Sequence, residues 1–289
     1  VAVALAVDIG GTKFEAAVVD DSGEIDGRVR VDSTGARNGE ELFGRLAGII
    51  ETIDLAGVDV CGVGSGGPMR PNGEQVSPLN IAVWRDFPLR SRLAALTGLA
   101  TFVDNDAKAL ALGEGWLGAA VGVSNYIAMV VSTGVGGGIV LDGRLLDGAA
   151  GNAGHIGHLV VEPEGTELPG HVRGVLEAEA SGIAIAHRTG APPSEASADE
   201  RRRAGTMVGR AVGSVANLLD LQLAVVAGSV ALGYGDDFFA AAQLECDRVA
   251  RLQHSVGTQI VAAGLAERGP LIGAAAVGFA GSKHGARSR

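Results

Sequence analysis

Along this chain, apolar runs alternate with short glycine-containing breaks and with longer stretches of helical spacing. Residues 2–7 and, Glu15 apart, 14–19 are apolar and flank Asp8-Ile9-Gly10-Gly11-Thr12-Lys13, a pattern that predicts strand, tight turn, strand. Gly23 then turns the chain toward a third strand near 28–32, and the spacing over 40–53 predicts an amphipathic helix. A strand over 58–63, a helix over 89–97, a strand over 100–103 and a helix over 106–117 follow. A second half begins near Val123, with a strand over 125–131, a glycine turn over 132–138 and a strand over 139–141, echoing the opening hairpin. Residues 190–197 read as a loop, 200–219 as a long helix, 224–227 as a short buried strand and 272–280 as a closing helix. This alternation is that of α/β sheets covered by helices. Two strand-turn-strand units, each opening a half, predict a duplicated pair of α/β domains with a cleft between them, 1–118 and 119–271, the closing helix near 272–289 packing on the first.

Composition narrows the class. A chain of 289 residues suits two modest domains. It is 47% apolar with a mean hydropathy of +0.27, yet no window sustains the roughly 18 uninterrupted apolar residues of a membrane span. The apolar start has no basic leader and meets Asp8 too early for a signal peptide, so the expectation is a soluble, cytoplasmic protein without a membrane partner. Against 33 Asp plus Glu there are 23 Lys plus Arg, and the net charge of -10 argues against a nucleic-acid surface. Cys61 and Cys246 lie far apart and offer neither a disulfide framework nor a thiolate cluster. The 46 glycines gather in turns between apolar strands, and the candidate chemistry lies there.

At the first turn, Gly10 and Gly11 let backbone amides close on an anion, while Thr12 and Lys13 add a hydroxyl and a cation. The Asp8 carboxylate would repel phosphate unless a divalent cation sat between them, held directly or through water, and the combination points to Mg-ATP. The Gly-x4-Gly-Lys-Ser/Thr spacing of a P-loop is missing, and this turn leads into a strand rather than a helix. An ordinary glycine hairpin is the alternative.

Five segments in order carry a family resemblance: DIGGTK (8–13), SGGP (65–68), VDNDAKALALGE (103–114), STGVGGG (132–138) and AGHIGH (153–158). With them the chain closely resembles the ROK family of sugar kinases nearly end to end. The resemblance implies the actin-like ATPase, hexokinase-type (ribonuclease H-like) α/β fold of two domains around a central cleft. It implies an ATP- and Mg²⁺-dependent kinase phosphorylating a hexose, with the 6-hydroxyl of glucose the main reading and an N-acylmannosamine the alternative. Asp106 matches the general base, accepting the proton of the attacking hydroxyl, with Asn105 holding a sugar hydroxyl; either residue could instead simply cap the helix. Lys108 departs from the small or amide residue usual in the family, and helical spacing turns it away from Asp106. Thr133, Gly134, Gly136 and Gly137 match the second phosphate turn, and Gly228 the adenosine side. Gly67, Asn80, His155, His158 and Glu177 match sugar contacts, with His where glucose-specific members generally carry Glu and N-acylmannosamine kinases often carry His. Trp84 follows Asn80 by four residues, as in the family pattern. Where many members have a zinc-binding Cys-x-Cys-Gly-x2-Gly-Cys run, this chain has Leu168, Gly170 and Val175, so no zinc site is expected and packing should hold the loop. Family relatives that repress transcription carry an N-terminal helix-turn-helix; with seven residues before Asp8 none is expected here, which leaves a regulator lacking that DNA-binding domain as an alternative of a different class. A catalytically silent sugar sensor is a further class, against which Asp8, Asp106 and both glycine turns argue. Polyphosphate is the alternative donor, and a homodimer or homotetramer is expected.

Overall fold

The structure is a computed structural model describing the backbone of residues 1–287 and the side chains of residues 1–282; the last two positions of the expected closing helix, 288 and 289, lie outside the described residues. The chain forms two compact units. Their limits differ from 1–118 and 119–271: the first unit comprises Val1–Leu117, Asp147–Ala153 and Glu267–Arg289, the second Gly118–Leu146 and Gly154–Ala266. A short excursion from the middle of the chain thus belongs with the first unit.

In the first unit, β1 (Val3–Ile9), β2 (Lys13–Asp20), β3 (Ile25–Asp32), β4 (Val60–Ser65) and β5 (Ala100–Asn105) form a sheet in the order β3-β2-β1-β4-β5. The hairpins β1–β2 and β2–β3 are antiparallel, whereas β1, β4 and β5 run parallel. Every residue of β4 is buried, as a central parallel strand covered on both faces requires. One face carries α1 (Gly39–Ile50) and α2 (Leu89–Thr97), whose Leu42, Leu46 and Leu93 join Leu5, Val7 and Phe14 in the core. Asn38 caps α1, its side-chain oxygen accepting from the Glu41 N–H at 2.9 Å. Helix α3 (Asp106–Leu117) and the closing helix Gly269–Arg287 complete the unit.

The second unit contains β6 (Tyr126–Val131), β7 (Val135–Leu141), β8 (Arg144–Leu145), α4 (Leu176–Ala180), α5 (Gly182–Thr189), α6 (Ala198–Leu219), β9 (Leu223–Ala227), α7 (Ser229–Tyr234), α8 (Asp236–Val249) and β10 (Gln259–Ala262). Its sheet order is β10-β9-β6-β7-β8. Read from the other edge, β8-β7-β6-β9-β10 repeats the first unit, with an antiparallel hairpin followed by parallel strands. The expected duplication is therefore present strand for strand. The expected turn over 132–138 is corrected: β7 starts at Val135, and Gly136 and Gly137 pair with Val130 and Met129 inside the hairpin. No helix among the described residues is long and apolar enough to cross a membrane.

Candidate functional site

In the first unit, the ends of parallel strands bring the predicted carboxylates together. Asp8 of β1, Gly64 of β4 and Asp104 of β5 lie in one register row, and Asp106 opens α3 two residues beyond. Gly64 lies between the two carboxylates: a Cβ there would stand 3.9 Å from both Asp8 Oδ1 and the Asp106 Cα, at ordinary contact distance. Burial, and then the neighbouring Asp106 charge, push the Asp8 carboxyl up to about 7, while Lys13 and Arg28 only partly oppose the shift. A carboxylate so short of positive charge fits a divalent cation. Among the described residues no group of three or more His, Cys, Asp or Glu could hold a metal, and Mg²⁺ bound through one carboxylate with substrate phosphates and water needs no such cage.

The turn between β1 and β2 is rigidly braced. Gly10 N–H donates to the Lys13 carbonyl at 3.1 Å, Ser33 Oγ donates to the Gly10 carbonyl at 3.0 Å, and Ser33 N–H donates to the Thr12 carbonyl at 3.1 Å. Lys13 is half exposed, and its Nζ is 2.7 Å from the buried Glu15, which Arg28 and Arg30 also approach. Gly11 and Asn80 touch, since a Cβ on Gly11 would fall 2.7 Å from the Asn80 Cβ. Trp84 anchors the Asn80 segment, stacked on Phe14 at 5.3 Å and Phe87 at 4.6 Å, with Nε1 donating to the Gly39 carbonyl at 3.1 Å. Gly67 faces Asn105, whose amide nitrogen would lie 3.3 Å from a Cβ at that glycine.

Asn105 and Asp106 do cap α3, each side-chain oxygen accepting from the Ala107 N–H, at 3.0 and 2.8 Å. Capping leaves the second Asp106 oxygen outside that bond, so cap and base are compatible roles. Lys108 is 2% exposed; its Nζ lies 3.1 Å from Asp104 and 2.7 Å from Asp147 and donates to the Gly151 carbonyl at 3.2 Å. This unusual lysine therefore ties Asp147–Ala153 to the first unit. Burial raises the Asp104 carboxyl above its ordinary value, with Lys108 as the main opposing charge.

The second unit assembles another group around the β6–β7 turn. Gly182 N–H, opening α5, donates to the Ser132 carbonyl at 2.7 Å, and Ser132 Oγ is 3.0 Å from Ser229 Oγ at the start of α7. Gly228, with φ of 102°, makes the turn from β9 into α7. Thr133 and Ser229 are exposed beside a cavity of about 550 Å³, whose walls include Ile183, Ala186, Val230 and Tyr234. Glu177 braces this turn from below: Oε2 accepts from the Val135 N–H at 2.6 Å and Oε1 lies 2.7 Å from His171 Nε2. Ring contacts continue to His158, 6.3 Å from His171, and on to His155, 6.0 Å further.

The glycines of AGHIGH explain how the two histidines are presented. Gly154 and Gly157 press their backbones onto β7, where a Cβ on either would collide with the carbonyl of Gly137 or Val135. Ile156 is buried between them, and His155 and His158 are left exposed. Gly137, in turn, has the Gly154 carbonyl 3.0 Å from where its Cβ would be. Its place in the hairpin thus serves the packing of the histidine segment. Leu168 and Val175, at two expected cysteine positions, pack with Ala178 and Ala184 in a small core. Thr166 adds a tie, its N–H and hydroxyl donating to Glu179. Metal analysis of the purified protein is expected to return no stoichiometric zinc, and chelation followed by Mg²⁺ should restore full activity; one tightly held zinc per chain would overturn the assignment of this loop.

The sequence reading missed Ser229, His171 as a partner of Glu177, and the cavity residues of α5, α6 and α7. Only Ser229, directly after Gly228, had a local signal. Two sheets of identical topology, each opening on a glycine hairpin, define the actin-like ATPase and sugar kinase fold. The ROK family profile matches residues 4–279, and the chain belongs to the ROK family. It is 39% identical to the glucokinase of Thermotoga maritima over 183 residues, covering 63% of this chain but only 58% of that protein. It is 36% identical to the N-acetylmannosamine kinase of Citrobacter koseri over 249 residues, 80% of this chain and 84% of that one. A ROK family glucokinase from Streptomyces griseus, solved with glucose and AMPPNP, superimposes with a TM-score of 0.79 at 28% identity over 96% of this chain and 99% of that one.

Proposed function

We propose that the protein is an ATP- and Mg²⁺-dependent hexose kinase that transfers the γ-phosphoryl group to the 6-hydroxyl of glucose. The observation carrying this reading is the row Asp8, Gly64 and Asp104 with Asp106 just beyond it, where the buried Asp8 carboxylate, only partly offset by Lys13 and Arg28, stands near that of Asp106 at the mouth of a helix. Similarity to a glucokinase and to a glucokinase bound to glucose and AMPPNP supports sugar and donor alike.

Asp106 accepts the proton of the attacking hydroxyl, and Asn105, Gly67 and Asn80 orient the sugar. His155, His158 and Glu177 contribute further hydroxyl contacts, Glu177 through a carboxylate whose position is fixed by Val135 and His171. Asp8 holds Mg²⁺ directly or through water, and the ion when bound neutralises charge on the transferring phosphoryl group. Gly10, Gly11, Thr12 and Lys13 approach the phosphates from the first turn, with Lys13 exchanging Glu15 for the nucleotide. Thr133 and Gly134 serve the second turn, while Gly136 and Gly137 act by shaping it and Gly228 admits the nucleoside. A coupled assay over hexoses and N-acylhexosamines, with ATP and with polyphosphate, tests the reading; phosphorylation of no sugar by either donor would sink it.

N-Acetylmannosamine is the second reading, favoured by His155 and by similarity to the Citrobacter koseri enzyme. A buried site that hydrogen-bonds a hydroxyl discriminates against analogues that leave its polar groups unpaired. An imidazole can donate or accept according to tautomer, whereas an ionised carboxylate only accepts. His155→Glu is therefore expected to shift the ratio of kcat/KM for glucose over N-acetylmannosamine toward glucose by about tenfold. An unchanged ratio, measured with both sugars on both proteins, would make His155 a structural residue of its loop.

A further inference from the structure

The cavity beside the β6–β7 turn has one charged residue in its lining, Arg201, and this arginine is bonded unlike its neighbours on α6. Arg202 is taken up by Asp199 and Asp237, and Arg203 by Glu179. Arg201 donates through Nε to the Ala196 carbonyl at 3.0 Å, and its guanidinium lies over the Tyr234 ring, 5.6 Å from the centroid. The ring is itself fixed, since Tyr234 Oη donates to the Pro193 carbonyl at 2.8 Å. Nη1 reaches only to 4.0 Å from Asp237, and among the described residues neither terminal nitrogen makes a hydrogen bond. A positioned guanidinium thus keeps its terminal donors for the cavity. The other walls, Ile183, Ala186, Val230 and Gly233, are small or apolar and suited to the faces of a flat ring, and Ser132 and Ser229 supply hydroxyls at the phosphate-turn end.

We propose that Arg201 reads the edge of a purine base in this cavity and that the protein consequently accepts GTP as a phosphoryl donor alongside ATP. The inference rests on the kinase reading. A guanidinium only donates, and guanine offers it two adjacent acceptors, O6 and N7, which an arginine can engage together. Adenine offers N7 beside an amino group that is itself a donor, so one guanidinium donor is left unmatched. In the reaction the bond between the γ-phosphorus and the β,γ-bridging oxygen of GTP breaks and a bond to the sugar oxygen forms. The hydroxyl proton passes to Asp106, and GDP leaves.

The experiment measures kcat/KM for ATP and GTP on the wild type, Arg201→Gln and Arg201→Met, with melting curves and calorimetric binding of ADP and GDP in the absence of sugar. Wild type is expected to use GTP within about tenfold of ATP. Glutamine pairs a donor with an acceptor and so matches adenine; Arg201→Gln should lower the GTP-to-ATP ratio by about tenfold to a hundredfold, and Arg201→Met should lower GTP use more than ATP use. A wild type that disfavours GTP by more than about a thousandfold, or a ratio unchanged in both variants, would overturn the proposal, as would equal losses for both donors. The wild-type comparison stands even where a variant fails to fold. Use of ATP with no effect of Arg201 refutes base reading alone, whereas failure of the wild type to bind either ADP or GDP refutes the nucleotide-dependent kinase reading with it.

Discussion

Asp106→Asn is expected to reduce kcat by about a hundredfold to ten-thousandfold, the range general-base catalysis supplies, while leaving the sugar dissociation constant within a few-fold. The substitution separates the two roles available to this residue. As a helix cap, Asp106 accepts the Ala107 N–H through one oxygen at 2.8 Å, and an asparagine oxygen can do the same at little cost. A purely capping Asp106 would therefore be replaced almost silently. As a base it must take up a proton, which an amide cannot. The amide also removes the negative charge that helps to raise the Asp8 carboxyl, so nucleotide binding should not weaken for electrostatic reasons. Turnover measured beside calorimetric sugar affinity decides the matter, and near-normal turnover would remove Asp106 from the chemistry.

Where the chain carries its own punctuation, the fold is legible from sequence. The bounds expected for α2 and α3 agree with the structure because Gly98, at φ of 71°, stops the first and Asn105 caps the second. Helix α8 and strand β10 were not read from sequence: α8 buries a sparse stripe of Phe238, Ala242 and Cys246, and β10 is four residues long with only Ile260 buried. Gly136 and Gly137 read as turn because glycine usually marks one. For Gly137 the reason is tertiary, the seat of Gly154 on β7, and no local pattern announces a segment that arrives from elsewhere. The same limit applies to Lys108. Periodicity turns it away from Asp106, but its partner Asp147 lies 39 residues along the chain. Three consecutive arginines, Arg201 to Arg203, look equivalent in sequence, and the packing around α6 alone gives each a different partner. Motifs thus pointed to the proposed catalytic groups, while contacts distant in sequence fixed what holds and tunes them.

Asp8→Asn is expected to abolish turnover and, in the protein without nucleotide, to raise the melting temperature at pH 8 by several degrees. The stability effect follows from the Asp8 carboxyl, raised from 3.8 to about 7 by burial and by Asp106. A carboxyl raised on folding is bound to its proton more tightly in the native state than in the unfolded chain. Its favourable contribution is complete below the unfolded value and declines as pH rises through the native one. Between about pH 4 and pH 7 the wild type should therefore lose stability relative to the neutral asparagine variant, and above that window the difference should hold constant. Mg²⁺ with ADP should reverse the order at pH 8, because a cation at Asp8 stabilises the ionised carboxylate of the wild type and has little hold on the amide. Melting curves of both proteins at pH 5 and pH 8, with and without Mg-ADP, test each part. A difference that does not change with pH would show that the Asp8 charge is already compensated within the protein. Equal stabilisation of both proteins by Mg-ADP would place the cation somewhere other than Asp8.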